Sequence, residues 1–561
     1  MIGKLLAAML LLPVSGVPAV ADDPYDVLVF SKTAGFRHDA IPAGIQAFRE
    51  LGAANSFTVT ATEDATAFTT ANLASYEAVV FLNTTGDVLD AAQQTAFEGY
   101  VRGGGGYLGV HAAADTEYDW PFYGDLVGAW FASHPAIQPA DVVVEDRAHA
   151  ATAHLPQRWN RTDEWYNYRT NARSTAHVVA SLDEGSYTGG GMGADHPHAW
   201  CKTFDGGRSF YTGGGHTIES YADPAFRSHL LGALRYVAGQ SNADCRPETG
   251  YTALYNGSTS GWSQAGPGSF TNTDATLGTT GGLGLLWYSG KQFSSYSLKL
   301  DWKMSGDDNS GVFLGFPPSD DPWSAVDNGY EVQIDATDAA DRTTGSVYTF
   351  KAADLAARDT ALNPPGEWNT YELLVEGERL QVFLNGTRIN DFTNTDPARS
   401  LAGHIGLQNH GDGDDVSFRN VRIKELGGTP PPADRTGPVV GLAGKCLDVS
   451  GAGTADGTKI QLYTCNNSAA QRWTVTPGST VKALGKCLDV AGGATANGTK
   501  AQLWTCNGTG AQVWAAQADG SVRNPQSGRC LDVSQNSSAN GQQIHIWDCL
   551  GAANQKWALP V

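Results

Sequence analysis

Positive charge is in short supply in this 561-residue chain: 37 lysines and arginines face 58 aspartates and glutamates, a formal net charge of −21. Repulsion on that scale disfavours nucleic acid and anionic membrane surfaces as partners and suits neutral glycans better. Long apolar runs are missing too. After residue 21 no segment approaches the ~20 apolar residues of a membrane helix, so no membrane partner is expected. The early run Leu5 to Leu12 is too short to span, and Lys4 ahead of it with Ala19-Val20-Ala21 before Asp22 gives it the form of a signal peptide. Residues 1–21 are therefore expected to be removed, and the remainder to be secreted as a soluble extracellular protein. Cysteine is sparse, with 8 in all, and no spacing reads as a zinc ribbon. Cys446 and Cys465, Cys487 and Cys506, and Cys530 and Cys549 are three pairs each 19 positions apart, which implies one local disulfide per repeat in an oxidising compartment. Cys201 and Cys245 remain and are paired with each other.

What is present in quantity is glycine, 67 residues, with 15 tryptophans and 20 tyrosines. Such a chain is turn-rich and has many aromatic faces, of which sugar binding is one use. Over residues 22–240 the short apolar runs Asp26 to Ser31, Glu77 to Leu82 and Gly106 to Val110 are interleaved with helical patterns at Pro42 to Leu51 and Leu89 to Val101, and a last helix follows at Pro224 to Val237. That alternation predicts a parallel sheet covered on both faces, with ligands at the carboxyl ends of its strands. Thr33 to His38, Asn83-Thr84-Thr85 and His111 follow the three runs and converge on that edge.

Gly35-Phe36-Arg37-His38, Gly105 to Ala113, Asp163-Glu164-Trp165-Tyr166, Asp195-His196-Pro197 and Gly213-Gly214-Gly215-His216 resemble the trehalose-utilisation (ThuA-like) family. The resemblance implies a class I glutamine-amidotransferase-like (flavodoxin-like) α/β fold. In amidotransferases the turn after the glycine-rich strand carries a cysteine nucleophile, whereas here His111 stands there, which removes acyl-enzyme chemistry on glutamine. The polar set that remains is His38, His111, His134, Asp163, Glu164, His196, His198 and His216. Ten of the 13 histidines lie in this stretch. His38, His111, Asp163, Glu164, His196 and His216 are taken as substrate-binding candidates. Imidazole with carboxylate suits a divalent metal such as zinc or manganese; a metal-free hydrogen-bonding set lining a sugar pocket is the other reading. His229, on the last helix, reads as a buried structural histidine.

In residues 250–426 helical periodicity nearly vanishes. Ser297 to Lys303, Thr370 to Val375, Leu380 to Leu384 and Val416 to Ile423 alternate and are separated by turn residues, with Asn385-Gly386 as a hairpin dipeptide, so an antiparallel sandwich is expected. In Gly329-Tyr330-Glu331-Val332-Gln333-Ile334-Asp335, the residues Tyr330, Val332 and Ile334 point to one face and Glu331, Gln333 and Asp335 to the other. Polar groups about 7 Å apart suit the hydroxyls of one sugar ring; a half-solvated strand gives the same alternation. This segment, with Asn309 to Leu314, Gly345 to Tyr348 and Gly406-Leu407-Gln408-Asn409-His410, resembles the 3-keto-disaccharide hydrolase family. The resemblance implies a concanavalin-like jelly roll acting on glycosides oxidised at C3. Such a ketone acidifies the C2 proton, so one positioned base starts elimination of the aglycone, and hydration completes the net hydrolysis. Glu331 or His410 is the candidate base, with Gln333, Asn309, Gln408 and Asp335 holding substrate. One departure is Gly315, where the family has arginine. The acidic run Asp412 to Asp415 reads as a solvated turn, with structural calcium as the alternative.

Residues 427–436, rich in glycine and proline, read as a stiff linker. Residues 437–561 contain a threefold repeat: Cys-Leu-Asp-Val begins at 446, 487 and 530, and each unit ends in Gln-x-Trp, at Gln471/Trp473, Gln512/Trp514 and Gln555/Trp557. The pattern resembles the ricin-type β-trefoil lectins. It implies carbohydrate binding by an aspartate, a polar helper and an exposed aromatic in each unit: Asp448, Gln461 and Tyr463; Asp489, Gln502 and Trp504; Asp532, His545 and Trp547. Only the third unit keeps asparagine, Asn554, before the Gln-x-Trp glutamine; Ala470 and Ala511 replace it elsewhere. The Gln-x-Trp tryptophans are core residues. Together these readings describe a multidomain, secreted carbohydrate-active enzyme with its chemistry in the middle domain. The alternatives are chemistry in the α/β domain with the jelly roll as a binding module, and a multivalent binder without catalysis.

Overall fold

The computed structural model describes residues 22–427, 435–476, 480–507, 509–517 and 519–560. The expected signal peptide and most of the expected linker lie outside them. The chain divides into two compact units, the first built on the chain up to Thr249 and the second on the chain from Gly250.

The first unit is a nine-stranded sheet with strands in the order Phe57–Thr62, Tyr25–Phe30, Ala78–Leu82, Gly106–Val110, Gly207–Thr212, Pro197–Phe204, His177–Leu182, Gln138–Val144 and Arg158–Asp163. The first five run parallel. The parallel sheet expected from the sequence holds for these five; the other four strands, not foreseen, pair antiparallel. The apolar runs are continuous because both sheet faces are covered. Val27, Val29, Val80 and Leu108 pack with helices Ile41–Ala54 and Pro224–Val237, while Leu28, Phe30, Val79, Phe81 and Tyr107 pack with helix Ala91–Arg102. Asp90 starts that helix with a capping box closed by Gln93, and Asp223 caps the last helix.

In the second unit two antiparallel sheets form a sandwich. One contains Tyr296–Met304, Asn369–Glu376, Arg379–Leu384, Thr387–Thr393 and Val416–Glu425; the other runs Trp262–Ala265, Gly284–Tyr288, His404–Asn409, Asn309–Phe316 and Tyr330–Asp335. Asn385 and Gly386 both have positive φ, 47° and 85°, as the primed hairpin turn requires. The half-solvated reading of Tyr330–Asp335 fails: all six residues are buried. Residues from 435 onward form a β-trefoil whose core holds Trp473, Trp514 and Trp557, each indole donating to the carbonyl of Leu447, Leu488 or Leu531. The four disulfides form the pairs expected. Among the described residues no helix is long and apolar enough to cross a membrane.

Candidate functional site

The five-stranded sheet builds the first candidate site. Phe313 lies opposite Glu331 and Gly311 opposite Gln333 on paired strands, and Gln408 lies opposite Leu285 on the next pair, so these side chains share one face. They line a cavity of ≈ 220 Å³ together with Asn309, Trp323, Tyr348 and His410. Glu331 Oε1, Gln333 Oε1 and Gln408 Oε1 are all buried without a hydrogen-bond partner. Unpaired acceptors at this depth cost free energy unless a ligand donates to them. Burial pushes the Glu331 carboxyl up to about 8. Gly311 makes the carboxyl's space: a β-carbon there would collide with the Glu331 side chain. His410 stands half-exposed, its Nδ1 2.9 Å from Asp414 Oδ2.

Two expectations change. Asp335, expected to hold substrate, is not in the cavity lining; its carboxylate accepts from Asn309 Nδ2 and from the backbone of Thr337 and Asp338, so it fixes a turn and orients Asn309. Gly315 has φ 76°, and a β-carbon there would strike the Ser400 carbonyl, so this bulge leaves no room for the arginine of the resembling family. Asp414 of the acidic run serves the site, holding the Asn309 amide as well as His410. Trp323, on the short helix Trp323–Asn328, and Phe313 were missed by sequence reasoning. Alternation along Asn309–Phe316 would have found Phe313, but a six-residue helix leaves no periodicity by which to find Trp323.

The first unit's histidines converge only in part. His38, His111, Glu164 and His216 each offer a ligand atom within 4.8 Å of the others. His111 sits where strand Gly106–Val110 turns into a short 3-10 helix, with φ 49°, a conformation few residues other than glycine adopt. Its Nδ1 donates to the Gly213 carbonyl at 2.8 Å, and its Nε2 lies 3.2 Å from His216 Nδ1. Glu164 Oε2 is 3.1 Å from His216 Nδ1 and 3.4 Å from His111 Nε2, and Oε1 is 2.9 Å from the half-exposed His134. Burial opposes ionisation of Glu164, but the neighbouring His111 and His216 outweigh it and hold the carboxyl below its ordinary range. Burial, aided by the neighbouring imidazoles, pulls His38 down to about 3.

Asp163 and His196, expected in the same set, serve other ends. The Asp163 carboxylate accepts from the backbone of Gly215 and His216 and from Arg161, and so holds the loop that presents His216. His196 spends one nitrogen on the Tyr166 carbonyl and the other on Glu184. His198 is buried with neither nitrogen partnered. His229 is structural as read, bridging the Ala151 carbonyl and Thr212. A larger groove of ≈ 580 Å³, lined by Tyr76, Tyr100 and Arg208 among others, holds none of these residues.

Each trefoil repeat presents the same constellation. Asp448 accepts from Gln461 and Gln471, and Asp489 from Gln502 and Gln512. Asp532 accepts from Gln555 and Asn554 and faces His545 Nε2 at 2.9 Å. Tyr463, Trp504 and Trp547 stand 37–38% exposed, open platforms for a sugar face.

Residues 435–557 match the ricin-type beta-trefoil lectin domain family. Residues 26–237 match the trehalose utilisation (ThuA) family, and residues 250–424 the 3-keto-alpha-glucoside-1,2-lyase-like domain. Similar solved structures include a thua-like protein of Bacteroides uniformis, 25% identical over 40% of this chain and 95% of that one, with TM-score 0.35. A Parabacteroides distasonis protein provisionally named a glycosyl hydrolase is 22% identical over 32% of this chain and 100% of that one, with TM-score 0.28. The agglutinin of Abrus precatorius is 26% identical over 24% of this chain and 51% of that one, with TM-score 0.22. The three matches support a glycosidase-like or carbohydrate-binding multidomain protein with a lectin module.

Proposed function

We propose that the lyase-like unit cleaves 3-keto-glycosides by abstraction of the C2 proton, elimination of the aglycone and hydration, with the lectin module holding the chain on polysaccharide. The observation that carries this reading is the group of three buried, unpartnered oxygens, on Glu331, Gln333 and Gln408, around one cavity. Its ≈ 220 Å³ is below the roughly 300–1,000 Å³ of drug-sized sites, which suits a single ring. Gln333 and Gln408 accept from sugar hydroxyls, and Trp323, 55% exposed at the cavity, offers a stacking face.

Of the two candidate bases, Glu331 takes the C2 proton. A carboxyl poised near the working pH by burial is suited to carry a proton both ways. His410, among the lining residues the only side chain able to carry positive charge, stands at the half-exposed rim, where it protonates the departing oxygen. Loss of the aglycone from the enolate leaves a C1=C2 enone; water then adds at C1, giving its proton to His410, while Glu331 returns a proton to C2.

A matched pair of substrates tests the reading. A 3-keto-glucoside should be cleaved and its unoxidised parent left intact, with deuterium at C2 slowing the reaction when chemistry limits. Equal rates on both would remove the elimination mechanism. Full activity in Glu331→Gln and His410→Ala, with loss in His111→Ala, would move the chemistry to the ThuA-type unit.

A further inference from the structure

The cluster formed by His38, His111, Glu164 and His216 takes no part in the reaction proposed above, yet its geometry is specific. The three ring centroids are 5.1 Å (His38 to His111), 5.0 Å (His38 to His216) and 5.2 Å (His111 to His216) apart, and the rings meet at 88°, 84° and 77°. The three imidazoles stand at nearly equal distances and nearly perpendicular to one another, and each brings one ring nitrogen within 4.8 Å of the others and of a Glu164 oxygen. In a tetrahedral zinc centre with Zn–N of about 2.05 Å, ligand atoms lie about 3.3 Å apart and the ring centres about 5.2 Å apart. The ligand atoms of His111, His216 and Glu164 match the first figure, at 3.2 Å for His111 Nε2 to His216 Nδ1, 3.1 Å for His216 Nδ1 to Glu164 Oε2 and 3.4 Å for His111 Nε2 to Glu164 Oε2, and that of His38 lies within 4.8 Å of them.

Hydrogen bonding alone accounts for this arrangement poorly. His111 Nδ1 faces a carbonyl and must donate to it, so Nε2 of the neutral ring carries a lone pair. His216 Nδ1 has one proton for two acceptors. Whichever it serves, the His111 lone pair and the Glu164 carboxylate oxygen still face each other across 3.4 Å with no proton between them, unless the fully buried His111 ring takes a second one. His38 adds an independent sign: it is only 4% exposed, and its Nδ1 is buried with no hydrogen-bond partner. A cation held between the four groups satisfies all of them at once.

We propose that these four side chains form a tetrahedral site for a divalent first-row transition ion of the zinc class. The surroundings have the outer support such sites use. The Gly213 carbonyl fixes the His111 tautomer. Asp163 grips the backbone of Gly215 and His216, and Asn83 Nδ2 and the Tyr221 hydroxyl both donate to the Gly215 carbonyl, so the loop carrying His216 is held at three points. His134 takes Glu164 Oε1, which leaves Oε2 for the ion. Three imidazoles with one carboxylate favour zinc over calcium or magnesium, which prefer oxygen-rich shells.

Titration of the chelator-stripped, dialysed full chain with cobalt(II) tests the site. One equivalent should be taken up with the strong visible absorption of a tetrahedral centre, and one equivalent of zinc should displace it. Loss of an outer-shell partner costs about 10–100-fold in affinity, so His111→Ala and His216→Ala should each cost about 100-fold or more, while the distant His154→Ala should bind as wild type. Circular dichroism and retention on a polysaccharide column check that each variant is folded. If His111→Ala does not fold, Glu164→Gln, which keeps the side chain's shape, replaces it and should lose about 10-fold or more. A tetrahedral spectrum undiminished in the folded His111→Ala/His216→Ala double variant would overturn the assignment. So would a folded wild type that takes up no cobalt or zinc at micromolar concentration.

Discussion

Replacing Glu331 by glutamine keeps the side chain's shape and removes its charge, and it should slow cleavage while stabilising the fold. Burial raises this carboxyl from 4.5 to about 8. At about 1.4 kcal/mol per pKa unit, ionised Glu331 costs the folded state up to ~5 kcal/mol. The folded chain holds the proton more tightly than the unfolded one. The cost is therefore absent below about pH 4.5, grows as pH rises toward 8 and is constant above it. Wild type should thus lose stability relative to Glu331→Gln across that window. The measurement is calorimetric unfolding of both proteins from pH 5 to 9, read at the transition the substitution moves. Kinetics supply the second half: with Glu331 as base and His410 as acid, log(kcat/KM) on a 3-keto-glucoside should be bell-shaped with one limb near pH 8, and the variant should be at least ~10²-fold slower. A stability difference that does not change with pH, or a wild-type profile with no limb near pH 8, would refute the claim that a desolvated Glu331 is the base.

The remaining predictions concern other parts of the chain. Gly311→Ala pushes a methyl into the Glu331 carboxyl and should lower the cleavage rate as Glu331→Gln does, with sugar retention unchanged; normal turnover would mean that the carboxyl need not sit where it does. Asp489→Ala removes one of the three lectin constellations and should weaken binding to polysaccharide far more than to a monosaccharide, because linked sites can gain about 10²–10⁴-fold in avidity; equal loss on both ligands would contradict this. Cys201→Ser with Cys245→Ser opens a loop of sequence separation 44 and should destabilise the first unit by ~4 kcal/mol on the chain-entropy account, visible as an earlier transition in denaturant. An unmoved midpoint would show that the bond contributes little.

Much of the architecture was legible because the periods differ. Continuous apolar runs between helical patterns marked a sheet covered on both faces, and the trefoil announced itself through three copies of Cys-Leu-Asp-Val. The antiparallel half of the first sheet was not anticipated. In strands such as Arg158–Asp163, buried residues alternate with exposed polar ones, and in a single sequence that resembles loop. The site residues were read with mixed placement. Glu331, Gln333 and Gln408 fell on one face because strand alternation is rigid. His196 and Asp163 were misplaced because they sit where strands give way to loops, and direction there depends on partners such as Glu184 and Arg161, distant or close in sequence, that no period reveals. Asp335 sits at the last position of its strand, where the amides two and three residues on claim its carboxylate.

Glu331, Gln333 and Gln408 each bring a buried, unpartnered oxygen to one cavity, and a pocket furnished in this way discriminates by electrical character before it discriminates by shape. A neutral hexoside brings hydroxyl protons to each of the three oxygens. A uronic acid, a sulfate ester or a phosphorylated sugar brings further electron density to a wall already rich in it, and above about pH 8 meets a full negative charge as well. Acidic polymers should therefore pass this chain as poor inhibitors as well as poor substrates, even where the lectin repeats, whose platforms recognise a ring's apolar face, retain them.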